Sequence, residues 1–251
     1  MRTSLMIAAL AGGVVLSGCK TMDVGSVMDS GSTAMKAMTL SDSDVVQLSN
    51  ESCQAMDAEN QVAPANNKYT KRLNKLIAKM PKDIDGKKAV YKVYLTKDVN
   101  AWAMANGCIR VYSGLMDLMN DDELRGVIGH EIGHVALGLS KKCMQTAYAT
   151  SAARQIAASS GNAALSTLSR SQAGELGEKF VHAQFSQSNE SEADNYSFDL
   201  LTKQKMERKG LVSAFQKLAK LGGGGGNSLM SSHPPSEERA KAMQARLDGS
   251  K

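Results

Sequence analysis

The sequence is short of several things, and each shortage removes a class of function. The apolar stretch over Leu5–Leu16 is too short to span a bilayer comfortably as a helix, and no other run is long and apolar enough to do so. Aromatic residues make up 4% of the 251 residues against 15 methionines, so the core has to rely on Leu, Ile, Val, Ala and adaptable Met. The net charge is +5, but the lysines are spread out with no dense runs and no interleaved aromatics. That is the pattern of a solvated surface, and it excludes a nucleic-acid partner. The tract Gly222–Gly226 is followed by no Gly-Lys-Ser and opens no strand-to-helix turn, so it reads as a flexible hinge and not a phosphate loop. There is no internal repeat. What remains, with 42% hydrophobic and 22% charged residues, is the composition of an ordinary globular domain.

The N-terminus has the layout of a signal peptide: Arg2, then the apolar run, then small residues. Leu16-Ser17-Gly18-Cys19 resembles the bacterial lipobox, after which the signal is removed and Cys19 carries acyl chains. The resemblance implies a signal over residues 1–18 and a lipid-anchored mature chain, held stably because more than one acyl chain is attached. Lys20, where inner-membrane lipoproteins carry Asp, implies the outer membrane, with the protein facing the periplasm. Residues 19–45, rich in Ser, Met, Gly and Asp, read as a flexible tether and 46–251 as one domain. An oxidising compartment favours one disulfide among Cys53, Cys108 and Cys143. We take Cys53 with Cys108 as the pair, although the sequence leaves the pairing open.

Helical patterning runs from Val45 to Met80, with Leu73, Leu76, Ile77 and Met80 at helix spacing and Pro81 as the stop. Val90–Leu95 alternates, and Ala101–Ala105 and Cys108–Tyr112 are extended stretches on either side of Asn106-Gly107, which predicts a small sheet or hairpin. Asn120 followed by Asp121, Asp122 and Glu123 is a cap and acidic first turn. It opens a helix whose apolar side carries Leu124, Val127, Ile128, Ile132, Val135 and Leu139. Residues 144–178, dominated by Ala, Ser, Gln and Gly, read as a weakly packed helical lid. Further helices are expected over about Glu178–Lys209, Leu211–Leu221, and from His233 to Ala245 or Leu247.

The chemistry lies in His130-Glu131-x-x-His134. Positions i and i+4 of a helix differ by about 40° of rotation, so the two imidazoles face one metal ion. Glu131, one step round, sits beside the open coordination position as general base and later general acid. The motif alone arises by accident in about one chain in a hundred. Glu190-Ser191-Glu192-Ala193-Asp194 adds weight, because Glu190 and Asp194 share one helical face and catalytic zinc takes three protein ligands plus an open position. The bland alternative for these carboxylates is a solvated acidic turn.

Taken together, H-E-x-x-H and the downstream E-x-x-A-D resemble the gluzincin peptidases that include HtpX, the mitochondrial protease Oma and the CAAX prenyl proteases. The resemblance covers roughly residues 60–247. It implies an α+β fold: a mostly helical zincin-like domain with a small β-sheet whose edge strand lies beside the active-site helix. It also implies one Zn2+ per chain on His130, His134 and Glu190, with Asp194 orienting a ligating imidazole, although other transition metals tolerate this ligand set. Asn100 to Met104, through Gly107, Val111 and Gly114-Leu115, resembles the family's edge strand, with Asn106-Gly107 where relatives often carry Pro-Gly or Gly-Gly. Such a strand takes unfolded or extended protein substrates by β-addition. Ser232-His233-Pro234 and Arg239 resemble the segment that places a histidine near zinc in periplasmic relatives. From this we expect His233 to occupy the open position and keep the enzyme latent, and Arg239 to stabilise the oxyanion; a surface histidine at a helix entry is the other reading of His233. His182 reads as structural. The implied function is a zinc endopeptidase for unfolded or damaged cell-envelope proteins, anchored by lipid and able to meet envelope protease or assembly partners. The alternative is a lipoprotein chaperone or assembly factor for outer-membrane proteins with weak or latent peptidase activity.

Overall fold

The structure, a computed structural model, describes residues 40–150, 168–221, 229–233 and 237–249. The signal sequence, Cys19, Lys20, nearly all of the expected tether, residues 151–167 of the expected lid, the glycine tract and Pro234-Pro235-Ser236 lie outside the described residues. The first helix, α1 (Asp42–Glu59), starts within the last residues assigned to the tether, because Ser41 and Asp44 form a reciprocal capping box and Val45 is buried. The single helical pattern expected to Met80 is broken in two. Asn60 is extended, Val62 bridges to Tyr94, and Pro64 cannot donate a helical hydrogen bond. Asn67 then caps α2 (Lys68–Leu76), and a 3-10 turn over Ile77–Lys79 leads to Pro81.

A two-stranded hairpin, β1 (Asp83–Ile84) and β2 (Lys87–Lys88), precedes the three-stranded sheet formed by β3 (Val90–Tyr94), β4 (Ala101–Ala103) and β5 (Cys108–Tyr112). The order is β3-β5-β4, with β5 parallel to β3 and antiparallel to β4. All five residues of β5 are buried, as befits a central strand covered on both faces. β4 is therefore an edge, and the active-site helix packs against it.

After the short α3 (Ser113–Leu118) comes α4 (Asp121–Ala136), opened by a capping box in which Asn120 Oδ1 accepts from the amides of Asp122 and Glu123. Nearly every residue of α4 from Glu123 on is buried, because α7 (Gln187–Lys203) and α8 (Lys209–Lys220) cover the sides that the sheet does not. Two glycines allow α7 to come close: a Cβ at Gly129 would lie 2.5 Å from Ser197 Oγ, and one at Gly133 would lie 3.1 Å from Ala193 Cα. The approach brings Glu190 and Asp194 beside the histidines of α4.

α5 (Leu139–Ala149) and α6 (Arg170–His182) take in both ends of the expected lid, and there the expectation of weak packing is corrected, since Met144, Ala147, Ala173 and Leu176 are buried. Met144, Ala147, Leu176 and Phe180 join Leu48 and Met56 of α1 in a second hydrophobic cluster beneath the sheet. The helix expected over Glu178–Lys209 is two helices, since 183–186 is extended and the Ser186 side chain caps α7. The C-terminal region also begins differently from expectation. A short α9 (Leu229–Ser232) precedes His233, and α10 starts at Glu237 and runs to Asp248.

A Cys53–Cys108 disulfide joins α1 to β5, and Cys143 is buried outside that disulfide. Beside the disulfide, Arg110, only 2% exposed, donates to both oxygens of Asp57, at 2.7 and 2.8 Å. Lys92 and Tyr94 complete the Asp57 shell at 2.7 and 2.8 Å.

Candidate metal centre

His130, His134, Glu190 and His233 are all buried, and each offers a ligand atom within 4.8 Å of the others. His130 and His134 come from successive turns of α4, Glu190 from the first turn of α7, and His233 from the residue after α9. His130 Nε2 lies 3.0 Å from His134 Nε2 and 3.3 Å from His233 Nδ1. Glu190 Oε1 lies 2.9 Å from His233 Nδ1 and 3.3 Å from His134 Nε2. Ligand atoms held at roughly 2.0–2.1 Å from one tetrahedral ion stand about 3.3 Å from each other. The four donors thus fit a single zinc ion in spacing, chemistry and burial.

The surroundings orient these ligands unequally. Asp194 Oδ1 is 2.7 Å from His130 Nδ1, which fixes Nε2 as the metal-facing nitrogen. Arg239 holds Asp194 in turn, with Nε donating to Oδ2 and Nη2 to Oδ1, both at 2.7 Å, while its Nη1 lies 2.5 Å from Glu190 Oε2. The guanidinium also lies 4.3 Å from the centroid of the Phe215 ring. His134 Nδ1, by contrast, is buried with no hydrogen-bond partner. The Phe185 ring covers His134, with centroids 4.0 Å apart and planes tilted by 33°, and stacks on His233 at 5.1 Å and 25°.

Burial disfavours charge on all of these groups, and the outcome depends on what faces each one. It raises the Glu131 carboxyl above the usual range, against the opposing pull of His233 and His130. For Glu190 burial acts upward too, but His233 and His130 outweigh it and hold the carboxyl well below its ordinary value. Asp194 is likewise lowered against its burial by Arg239 and His130. Burial pushes His134 down to about 3, keeping it in the neutral form that ligates metal.

Glu131 Oε1 is buried without a hydrogen-bond partner, and His233 Nε2 stands 3.6 Å away. Glu131, His233 and Phe185 line one recess with Trp102 and Ala103 of the edge strand. The structure therefore brings His130, Glu131, His134, Glu190, Asp194, His233 and Arg239 into one cluster. His182 stands apart at the surface beside Glu178. The Arg239 guanidinium is engaged by two carboxylates, Asp194 and Glu190, and so organises the ligands, a task that the expected oxyanion role did not include. Sequence reasoning missed Phe185, which no ligand motif marks. The only signal was an aromatic five residues before Glu190 in a chain poor in aromatics.

A family model described as Peptidase family M48 matches residues 64–247. Metalloprotease LoiP of Escherichia coli (strain K12) is 49% identical over 247 residues, covering 98% of each chain. Metalloprotease YcaL of the same organism is 49% identical over 253 residues, covering 99% of each. Mitochondrial metalloendopeptidase OMA1 of Arabidopsis thaliana is 30% identical over 151 residues, which is 58% of this chain and 29% of that protein.

Proposed function

The chain belongs to peptidase family M48 and is a zinc metalloprotease, and from that premise we propose that it is an endopeptidase for unfolded or damaged proteins of the cell envelope. The observation that carries the hydrolytic reading is the buried, unpartnered Glu131 Oε1 beside a complete ligand set. His130, His134 and Glu190 would hold the zinc ion, which when bound would supply Lewis acidity and an activated water. Glu131 is placed to take a proton as water oxygen bonds to the scissile carbonyl carbon. It returns that proton to the amine as the C–N bond breaks. Asp194 and Arg239 keep His130 and Glu190 in register throughout.

The preference for extended substrates rests on β4. Asn100 and Met104 direct their backbone bonds to β5, so Ala101 and Ala103 turn theirs to the outer edge. Ser140 Oγ already donates to the Ala103 carbonyl at 2.7 Å, the Leu229 amide to the Val99 carbonyl at 2.9 Å and the Ala101 amide to Asn100 Oδ1 at 2.9 Å, which leaves the Ala101 carbonyl and the Ala103 amide as the edge for a short extended segment. Lipid attachment at Cys19 and residence at the outer membrane, facing the periplasm, complete the proposal. They rest on the Leu16-Ser17-Gly18-Cys19 resemblance and on Lys20.

A second reading has its own observation. Catalytic zinc sites keep one position open, whereas His233 Nδ1 fills the fourth corner here. We read this as a latent form, in which a client-holding or assembly role precedes proteolysis. One experiment separates the two: casein hydrolysis with metal content for the wild type, Glu131→Gln and His233→Ala. On the peptidase reading the wild type cleaves, Glu131→Gln keeps one zinc but loses about 10²–10⁴-fold in rate, and His233→Ala is faster than wild type. If all three hold zinc and none cleaves casein, the peptidase reading falls and the chaperone reading replaces it.

A further inference from the structure

The two histidines of α4 are oriented by different means. His130 has the usual arrangement, its outer nitrogen bonded to a carboxylate that is itself held by arginine. His134 has nothing of the kind: its Nδ1 is buried and unpartnered, and what lies against the imidazole is the ring of Phe185. The same ring stacks on His233, and the Phe185 amide donates to the Ser232 carbonyl at 3.1 Å. One residue further on, the Ser186 side chain caps α7 by accepting from the Asn189 amide at 3.2 Å, which sets the turn from which Glu190 projects. Phe185 is thus tied mechanically to three of the four ligands.

We propose that Phe185 is a positioning residue for the metal, its flat ring holding His134 in ligating orientation in place of the absent outer hydrogen bond and steadying His233 with it. A planar ring against an imidazole limits rotation about the His134 ring bond in a way that an aliphatic side chain of similar bulk does not. This rests on the reading that the cluster holds zinc; it does not depend on what the zinc is used for.

The test uses the full chain and its Phe185→Leu and Phe185→Tyr variants. Zinc dissociation constants come from chelator competition, ligand symmetry from visible absorption of the cobalt-substituted proteins, and fold integrity from the melting temperatures of the metal-free forms. Phe185→Leu is expected to weaken zinc binding by about 10–100-fold, as loss of an outer partner of a ligand does elsewhere. Its cobalt bands shift, its metal-free melting temperature stays that of the wild type, and Phe185→Tyr restores wild-type behaviour because Phe185 is only partly buried. Equal zinc affinity and an identical cobalt spectrum in Phe185→Leu would overturn the proposal. A loss shared by Phe185→Tyr and matched by a fall in metal-free stability would also overturn it, since that is plain packing. If the zinc readout behaves as expected while no form cleaves protein, the peptidase reading fails and the role of the ring stands.

Discussion

Two of this protein's polar clusters are finished to different degrees. At the junction of α1 and the sheet, Asp57 accepts from Arg110, Lys92 and Tyr94, and Arg110 spends its remaining capacity on the carbonyls of Val90 and Ile109. No polar atom of that group is orphaned. At the foot of α4 the ligands crowd together with Glu131 Oε1 and His134 Nδ1 left without partners. A buried unpaired polar group costs free energy. Its persistence marks a place where the fold is kept incomplete for a guest. The satisfied cluster is a joint, and the unsatisfied one is a site.

Three substitutions sharpen or break that contrast. The largest effect is expected from Arg110→Met, which removes both guanidinium bonds to Asp57, leaves that carboxylate to Lys92 and Tyr94, and should cost about 3 kcal/mol of unfolding free energy. Denaturant titration measures it, and zinc affinity of the folded fraction should be unchanged; a loss of zinc of similar size would mean that the two clusters are one system. Next comes Asp194→Asn, which should weaken zinc by about 10–100-fold in chelator competition while metal-free stability changes far less. Smallest is Asp57→Asn, on the order of 1 kcal/mol. Arg110, Lys92 and Tyr94 overcome the burial that would raise the Asp57 carboxyl and hold it below its ordinary 3.8. A depressed folded value stabilises above the unfolded one. The advantage of wild type over Asp57→Asn should therefore be complete above pH 3.8 and disappear as the pH falls through the folded value. A difference independent of pH down to acid unfolding would show that charge is not what Asp57 contributes.

Much of the site was legible because its ligands follow helical arithmetic. His130 and His134 are four apart, Glu190 and Asp194 are four apart, and each pair reads as one face before any contact is known. The sheet was readable in its strands, and Cys53–Cys108 is the bonded pair. The errors fall where local patterning is overruled by backbone chemistry. Pro64 and Asn67 divide what looked like one helix to Met80, and Ser186 divides another. The parallel pairing of β3 with β5 depends on a crossover that no short-range signal reports. Arg239 was found by family likeness, but its task is set by Asp194, which is 45 residues away. Phe185 was invisible because an aromatic ring carries no ligand signature, and its meaning comes only from the imidazoles that fold onto it.

The paired glycines of α4 have a consequence of another kind. With Gly129 and Gly133 facing Ser197 and Ala193, the gap between the two helices is set at the distance of bare backbone. A single methyl group there would act as a shim: every donor would still be present in the chain and correctly protonated, yet the socket would be too wide to grip. Half of this site is written in atoms that are missing, and a survey of side chains alone would pass over the positions that hold it to size.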